Sequence, residues 1–323
     1  MEDANPIEDA KLVKPPVTQV GVLGWIRTNL FKGWLNSCLT IITVYLLWLS
    51  IPPFFRWAFV DSLWFSSGAE CQQTSGACWS VITANIRFIT FGFFPYEQQW
   101  RPFVAMILLV CLLFYSQNRN HWKKPLAYAW GGGLFLMGLL MKGGLFGLTA
   151  VESSKWGGIP LTLLLAIFGL TAAYPLGVVL ALGRQSRMRV VKTLCVLYIE
   201  LIRGVPLISL LFMSSVVFPL FFPEGFNINA IIRAQVAIIL FTAAYIAEVV
   251  RGGLQAIPRG QYEAAESLGL NFYLTMRLII LPQALKIVIP PSVSILISAF
   301  KDTSLVVIIA LFDFLKTTKT VIS

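Results

Sequence analysis

A short polar segment between two strongly apolar ones has the most informative residue spacing in this chain of 323 residues. It contains, in order, Glu263, Ala264, Ala265, Glu266 and Gly269, followed by Leu281 and Pro282. A helix that opens near Gly260 places both glutamates in its early turns, where the helix dipole favours acids, and Gly269 ends it. The two alanines form a thin face that another protein could approach closely, and Leu268, Phe272 and Leu278 offer apolar anchors. The pattern indicates docking, with an amphipathic helix on a membrane surface as the alternative.

No residue pattern indicates an active site. A phosphate-binding Gly-x-x-x-x-Gly-Lys-Ser/Thr loop is absent, so the chain is not expected to hydrolyse ATP by itself. His121 is the only histidine, which excludes a histidine-rich metal site. A Gly-x-Ser-x-Gly elbow and a cysteine cluster are also missing. We therefore expect no enzyme activity, no metal site and no cofactor bound by this chain.

Polar side chains inside long apolar segments form a second group of candidates. Gln235 and Thr242 lie seven residues apart and Tyr245 lies three further on, so all three fall near one helix face that could line a pathway. The remaining candidates are Thr162, Ser298, Lys301 and Asp302, with Thr171, Ser292 and Ser294 as possible contributors. For the small hydroxyl residues, helix packing is the alternative. Lys301 and Asp302 are expected to neutralise one another.

Two acid and arginine pairs have helical spacing. Glu200 and Arg203 stand three residues apart, as do Glu248 and Arg251, so each pair is expected to form an ion pair at the end of a helix. The sequence favours a structural role for Arg203 and a gate or loop anchor for Glu248 and Arg251, rather than contact with a solute.

The cysteines divide into two groups. Cys71 and Cys78 lie in a polar stretch, where a disulfide is expected in an oxidising compartment, with two free thiols as the alternative. Cys38, Cys111 and Cys195 lie in apolar or interfacial segments and are expected to be packing residues.

The elements that must position these residues are membrane spans. The chain is 57% hydrophobic and only 12% charged, whereas soluble domains are about one quarter charged. Its apolar runs cover residues 35–55, 102–115, 126–141, 158–182, 204–222, 231–250 and 287–300. A further apolar piece, 305–315, is interrupted by Asp313 and is expected to be re-entrant or interfacial.

The net charge of +10 indicates membrane topology rather than nucleic-acid binding, because the basic residues occupy short segments between apolar runs. Cytoplasmic placement is indicated for Lys11, Lys14, Arg27, Lys32, Arg119, Lys123, Lys124, Arg184, Arg187, Arg189 and Lys192. With the N-terminus in the cytoplasm, six crossings bring the segment 251–286 there too. The loop 56–101 then faces the periplasm.

Five motifs in the second half of the chain carry a resemblance. They are RGVPL at 203–207, AYIAEVVRGG at 244–253, GQYEAA at 260–265, LPQA at 281–284 and KDTSL at 301–305. In order and spacing they resemble the permeases of the polar amino acid uptake group of ABC importers. The longer N-terminal half is similar to the larger permease subunits of the general L-amino acid and glutamate/glutamine/aspartate systems.

The resemblance implies an all-α integral membrane protein of the bacterial inner membrane, with the type I ABC importer permease fold and three extra N-terminal transmembrane helices. Residues 1–156 would form the extension, and 157–323 a core that includes the coupling loop 251–286 and ends before the family's final helix. It also implies the partners: ABC ATPase subunits that bind ATP and Mg²⁺, a second, non-identical permease, a periplasmic amino-acid-binding protein and membrane lipids.

The function implied is ATP-driven import of polar L-amino acids. The alternatives are a permease for another small polar solute, an ion-driven secondary transporter, and a membrane scaffold that only binds a cytoplasmic partner. A secondary transporter would be expected to carry an inverted repeat and acids midway along its spans, and the sequence shows neither.

Overall fold

A computed structural model describes residues 21–66, 68–145, 147–223 and 228–322. Lys11 and Lys14, on which part of the predicted orientation rests, lie outside the described residues. The chain divides into two compact units, residues 1–83 and 84–323. This division by compactness falls earlier than residue 156, where the sequence places the end of an N-terminal extension, and that functional boundary stays a prediction.

The first unit contains one long apolar helix and a small cross-linked loop. Its helices are α1 (Gly21–Asn29), α2 (Trp34–Phe55) and α3 (Gly68–Cys71), and the division between the units falls within α4 (Ser80–Phe91). A π-helical turn, Arg56–Val60, extends α2. No residue of α2 is buried, as expected for an apolar helix that faces lipid.

The second unit is a helical bundle. Its helices are α5 (Trp100–Gln117), α6 (Lys124–Lys142), α7 (Gly158–Arg184), α8 (Arg189–Gly204), α9 (Leu207–Phe212), α10 (Ala230–Gln255), α11 (Arg259–Ser267), α12 (Phe272–Thr275), α13 (Leu281–Asp302) and α14 (Phe314–Ile322). The π-helical turn Met276–Ile280 joins α12 to α13, and a 3-10 helix, Thr303–Ile309, continues α13.

Small residues bring α7 and α10 together. A side-chain carbon placed on Gly177 would lie 2.6 Å from Cγ2 of Ile246 and 2.9 Å from the carbonyl oxygen of Ala243. On the same two helices, Ala173, Ala181 and Ala247 are fully buried. Because apolar burial supplies little attraction between helices in lipid, close contacts between small residues are a main source of their association. The α7–α10 pair is therefore the centre of the bundle.

Five helices of the described residues are long and apolar enough to span a membrane: Trp34–Val60, Tyr96–Gln117, Gly158–Arg184, Ala230–Gln255 and Phe272–Ile309. They contain five of the seven predicted spans. The fifth predicted span, 204–222, is instead one arm of a broken pair, Arg189–Gly204 and Leu207–Phe221, bent by 103°. The third forms α6 but is not among the five, since its terminal lysines and its three successive glycines lower its mean hydropathy.

The apolar piece 305–315 does not form a span. After the 3-10 helix, Phe312 and Asp313 make parallel backbone bridges to Gly157 and Gly158. The Asp313 carboxylate accepts hydrogen bonds from the backbone N–H groups of Leu315 (3.2 Å) and Lys316 (3.0 Å), which caps α14. Burial raises the pKa of this carboxyl, against the opposing effect of those N–H donors. The interruption expected at Asp313 is thus the start of a new helix.

Candidate functional site

A cavity of about 330 Å³ lies between α10 and α13. It is lined by Phe241, Thr242, Tyr245, Ser294, Ile295, Ser298, Ala299 and Asp302. Four of the seven predicted pathway residues meet here, because Thr242 and Tyr245 lie three apart on α10 while Ser298 and Asp302 lie four apart on α13. Helical periodicity on two neighbouring helices therefore builds one polar wall.

Asp302 is the charged group of this cavity. Among the described residues, its carboxylate has neither an ion-pair nor a hydrogen-bond partner. Lys301, by contrast, is exposed and does not line the cavity. The expected neutralisation of Asp302 by Lys301 was wrong, since adjacent residues of a helix point about 100° apart. The carboxylate is left free to bind a cation.

The other predicted pathway residues lie elsewhere. The Gln235 side chain donates to the backbone oxygen of Leu165 (3.2 Å) on α7, and so ties two helices together. The Thr162 hydroxyl donates to the oxygen of Gly158 (3.1 Å) and accepts from the backbone N–H of Phe314 (3.0 Å). Both side chains stabilise packing, which is the alternative that applies to small polar residues in membrane helices.

Glu248 is the centre of a charge network at one end of α7, α8 and α10. Its carboxylate accepts from Arg184 Nη1 (3.1 Å) and Arg251 Nε (2.9 Å), and Arg203 Nη1 lies 3.5 Å away. Arg184 also pairs with Glu200 (3.0 Å). The Glu248 and Arg251 pairing follows the predicted spacing.

The expected Glu200 and Arg203 pair was wrong. Arg203 instead turns toward Glu248, and its guanidinium carbon lies 5.5 Å from the centre of the Tyr245 ring. The residue that sequence reasoning missed is Arg184, which binds both glutamates. Its partners lie on α8 and α10, and no local spacing connects them. Tyr245 places this network next to the cavity.

The polar segment singled out in the sequence forms α11 and a turn. Gly269 has φ +72°, and its N–H donates to the oxygen of Glu266 (2.9 Å) while the N–H of Leu270 donates to that of Ala265 (3.1 Å). These two bonds are the Schellman arrangement that ends a helix at a left-handed glycine. At the other end, Pro258 precedes the first helical residue, so the helix opens slightly before Gly260.

One face of α11 is held by the chain itself. Ala265 is fully buried, so the thin face is only partly available to another protein, contrary to expectation, although Ala264 is exposed. Tyr262 also points inward, and burial raises the pKa of its hydroxyl. The Gln283 side chain donates to that of Gln261 (3.0 Å), which fastens the LPQA segment with Leu281 and Pro282 to α11.

Two acids of α11 and three apolar side chains of the segment that follows it are exposed. Glu263 and Glu266 are exposed, and Leu268, Phe272 and Leu278 are between 60% and 77% exposed. Large side chains at this exposure cost free energy in water unless something covers them. The predicted anchors thus form a surface next to the two glutamates.

In the first unit, Cys71 and Cys78 form a disulfide, the pairing that their polar setting predicts. Cys38 and Cys111 are exposed, and Cys195 is half-buried. Among the described residues, histidine, cysteine, aspartate and glutamate do not cluster into a metal site.

Comparison with known proteins decides the family. The family described as "Binding-protein-dependent transport system inner membrane component" matches residues 173–320. The chain is 50% identical over 293 residues to the inner membrane amino-acid ABC transporter permease protein YhdY of Escherichia coli (strain K12), covering 90% of this chain and 79% of YhdY. The chain belongs to the family of amino-acid ABC transporter permeases.

Two other known proteins are similar to this permease. The glutamate/glutamine/aspartate/asparagine transport system permease protein BztC of Rhodobacter capsulatus is 39% identical over 372 residues, with 93% of this chain and 85% of BztC covered. A crystal structure of an amino acid ABC transporter with histidines is 33% identical, with a TM-score of 0.46, and covers 51% of this chain and 75% of its own.

Family membership establishes the general role. The chain is a multi-pass inner-membrane subunit of an ABC transporter, a transport subunit rather than an enzyme, and its family has no cofactor of its own. Permeases of this family work with an ATPase and a binding protein. The ion-driven transporter and the scaffold are not favoured.

Proposed function

We propose that this permease imports polar L-amino acids, delivered by a periplasmic binding protein and translocated while separate ATPase subunits bind and hydrolyse ATP with Mg²⁺. Two long relatives named as amino-acid permeases support this cargo. The observation that carries the proposal is the unpaired Asp302 carboxylate in a cavity with hydroxyl groups from Thr242, Tyr245 and Ser298.

The chemistry of the cavity suits an α-ammonium group. An ammonium has three N–H donors, and Asp302 offers a carboxylate that no described residue neutralises. The hydroxyls of Thr242 and Ser298 can either donate or accept, so they suit a solute that carries both a cation and an anion. A charge left unpaired at membrane depth is costly, which makes a functional role the default interpretation of Asp302.

The test uses the whole transporter in liposomes with its binding protein, screened with single amino acids. Polar amino acids are expected to stimulate ATP hydrolysis and uptake. Asp302→Asn should raise the half-saturating concentration or lower uptake by about tenfold to a hundredfold, since a hydrogen bond to a charged group contributes about 1.5–3 kcal/mol. Lys301→Gln, the neighbouring exposed residue, is the matched control and should leave uptake unchanged.

Two results would contradict the proposal. In the first, no amino acid stimulates ATP hydrolysis or uptake by the unmutated transporter, which would show that amino acids are not its cargo. The other is an Asp302→Asn variant indistinguishable from Lys301→Gln, which would remove the cavity from the pathway while leaving the cargo in place.

The same proposal assigns the exposed face of α11 to the ATPase. Glu263, Glu266 and Gly269 would shape the docking helix, while Leu268 and Phe272 would fill a groove in the ATPase. This face needs a cytoplasmic position, and the predicted topology with a cytoplasmic N-terminus supplies one. Exposure of the apolar anchors supports the assignment, because docking removes them from water.

The charge network is proposed as an anchor at the cytoplasmic end of the bundle. Glu248 joins α10 to α7 and α8 through Arg184 and Arg203, beside the Tyr245 wall of the cavity. Arg251, the fourth member of this network, lies on α10 between Glu248 and α11. A change at α11 would act on the cavity through this joint, which is the role of a gate.

A second, non-identical permease subunit completes the proposed complex. Support for this comes from the resemblance of residues 1–156 to the extension of the larger permeases, and both long relatives match at least 90% of this chain. Purification of an active transporter that contains only this permease chain would contradict the pairing.

A further inference from the structure

A groove unrelated to the cavity lies beside the first turn of α5, where the candidate span Tyr96–Gln117 begins. Its volume is about 510 Å³, and its lining includes Arg87, Tyr96, Glu97, Trp100, Phe103 and Met106. All of these residues belong to the second unit. The groove is therefore built by α4, the turn before α5 and α5 itself.

Arg87 and Glu97, at the end of the groove before α5, carry opposite charges that do not pair with one another. The Arg87 guanidinium lies 4.3 Å from the centre of the Tyr96 ring. Within the described part of the chain, neither Arg87 nor Glu97 has an ion-pair or hydrogen-bond partner, and both are exposed. Two charges that share a groove without pairing suit a ligand that carries both signs.

The lining of the groove changes from charged to apolar in the direction in which α5 runs. From Glu97 to Met106 the chain advances nine residues, about 14 Å of helix. Trp100 lies at the entrance and is 52% exposed, which is typical of an indole at the level of lipid headgroups. Phe103 and Met106 lie one and two turns further in and are apolar. The groove is therefore charged at the N-terminal end of the candidate span and apolar along the first turns of α5.

We propose that this groove binds a phospholipid with a primary ammonium headgroup, phosphatidylethanolamine. Arg87 binds the phosphate, Glu97 accepts hydrogen bonds from the ammonium, and an acyl chain lies along Phe103 and Met106. A choline headgroup has no N–H to donate to Glu97. A lipid with net negative charge is repelled by Glu97 at the same place. Arg87 and Glu97 together therefore favour a zwitterionic headgroup whose ammonium can donate hydrogen bonds.

The test measures which lipids stay bound to the purified full-length transporter. The protein is mixed in detergent with equal amounts of phosphatidylethanolamine, phosphatidylcholine and phosphatidylglycerol, and retained lipids are counted by mass spectrometry. Retention of phosphatidylethanolamine over phosphatidylcholine is expected to be about fivefold, the ratio that corresponds to about 1 kcal/mol.

The variants separate the two contacts. Glu97→Gln should remove the preference over phosphatidylcholine and raise retention of phosphatidylglycerol, whereas Arg87→Gln should reduce retention of all three lipids. Arg119→Gln and Glu152→Gln, exposed charges outside the groove, are the matched controls and should not change the pattern. Equal retention of the three lipids, or variants that behave as the controls do, would overturn the proposal. None of these readouts depends on the cargo or on transport.

Discussion

At the scale of single residues, Gly269 is where one backbone conformation decides how α11 ends. Its φ of +72° lies in the left-handed region, and open space surrounds the position where a side chain would begin. Any cost of a substitution is therefore conformational rather than steric contact with neighbours. That cost is about 1–2 kcal/mol for an ordinary residue and is greatest for a β-branched one.

We expect Gly269→Val to uncouple ATP hydrolysis from uptake while the protein still inserts and assembles. The left-handed turn would straighten, and the anchors on either side of it, Leu268 and Phe272, would leave their positions. ATPase activity and uptake are measured together in liposomes. Gly260→Ala is the control, because Gly260 lies inside α11 with open space around it and alanine favours the helix. Uptake at the unmutated level in Gly269→Val would rule out the docking role.

Residue-level prediction succeeded where the information was local. The turn at Gly269 and the pairing of Glu248 with Arg251 both follow from spacing within one helix. It failed for Arg184, whose partner Glu248 lies 64 residues away on another helix. It also failed for Ala265, because the sequence cannot tell which face of α11 rests on its own protein.

At the scale of elements, the charge network holds three helices with one carboxylate. Arg184, Arg203 and Glu248 come from α7, α8 and α10, and their side chains are between 21% and 33% exposed. At this burial, an arginine that loses its carboxylate is only partly compensated by water. The three helices therefore depend jointly on Glu248.

Glu248→Gln is expected to lower the free energy of unfolding by about 1–3 kcal/mol, because Arg203 and Arg251 lose their only carboxylate partner among the described residues, whereas Arg184 keeps Glu200. The measurement is thermal unfolding of the detergent-solubilised protein. Glu152→Gln, an exposed acid outside the bundle core, serves as the control. Equal unfolding temperatures for the two variants would show that the network does not hold the helices together.

Element prediction worked best for long apolar helices. The observed α2, α7 and α10 begin and end within five residues of the predicted spans, since hydropathy over some 20 residues is a strong signal. The 103° break between α8 and α9 falls at Gly204 and Pro206, residue types that permit a bend, but hydropathy alone does not give its angle. The π-helical turns carry no recognisable sequence signal and were missed.

At the scale of the whole molecule, the disulfide between Cys71 and Cys78 offers a way to test the membrane topology. Cys71 and Cys78 form a disulfide in the loop that the charge distribution predicts to face the periplasm. Cys38 and Cys111 lie within candidate spans, where a polar reagent reacts slowly.

We expect a membrane-impermeant maleimide, applied to intact spheroplasts, to label the protein strongly only after an impermeant reductant has opened the disulfide. The reason is that both sulfurs are protected until reduction and then face the outside. A Cys71→Ser/Cys78→Ser protein is the control and should stay weakly labelled in both conditions. Strong labelling that requires permeabilised membranes would place the loop in the cytoplasm and reverse the topology.

The family and the general architecture could be read from the sequence, because motifs and hydropathy are written along the chain. The cavity could be anticipated only in part. Thr242, Tyr245, Ser298 and Asp302 were named, but their meeting depends on how α10 and α13 pack. The lipid groove was not anticipated, since Arg87 and Glu97 have no motif and acquire meaning only from their shared groove.

The tight seam between α7 and α10 has a mechanical consequence. Only residues 256–258 separate the end of α10 from α11, and α10 is one uninterrupted helix back to Tyr245, about 15 Å away. Because Gly177 meets Ile246 without spare room, α7 and α10 cannot slide past one another at this contact without displacing side chains. We therefore expect a displacement of α11 to be passed along α10 to the Thr242 and Tyr245 wall, with α7 moving together with α10.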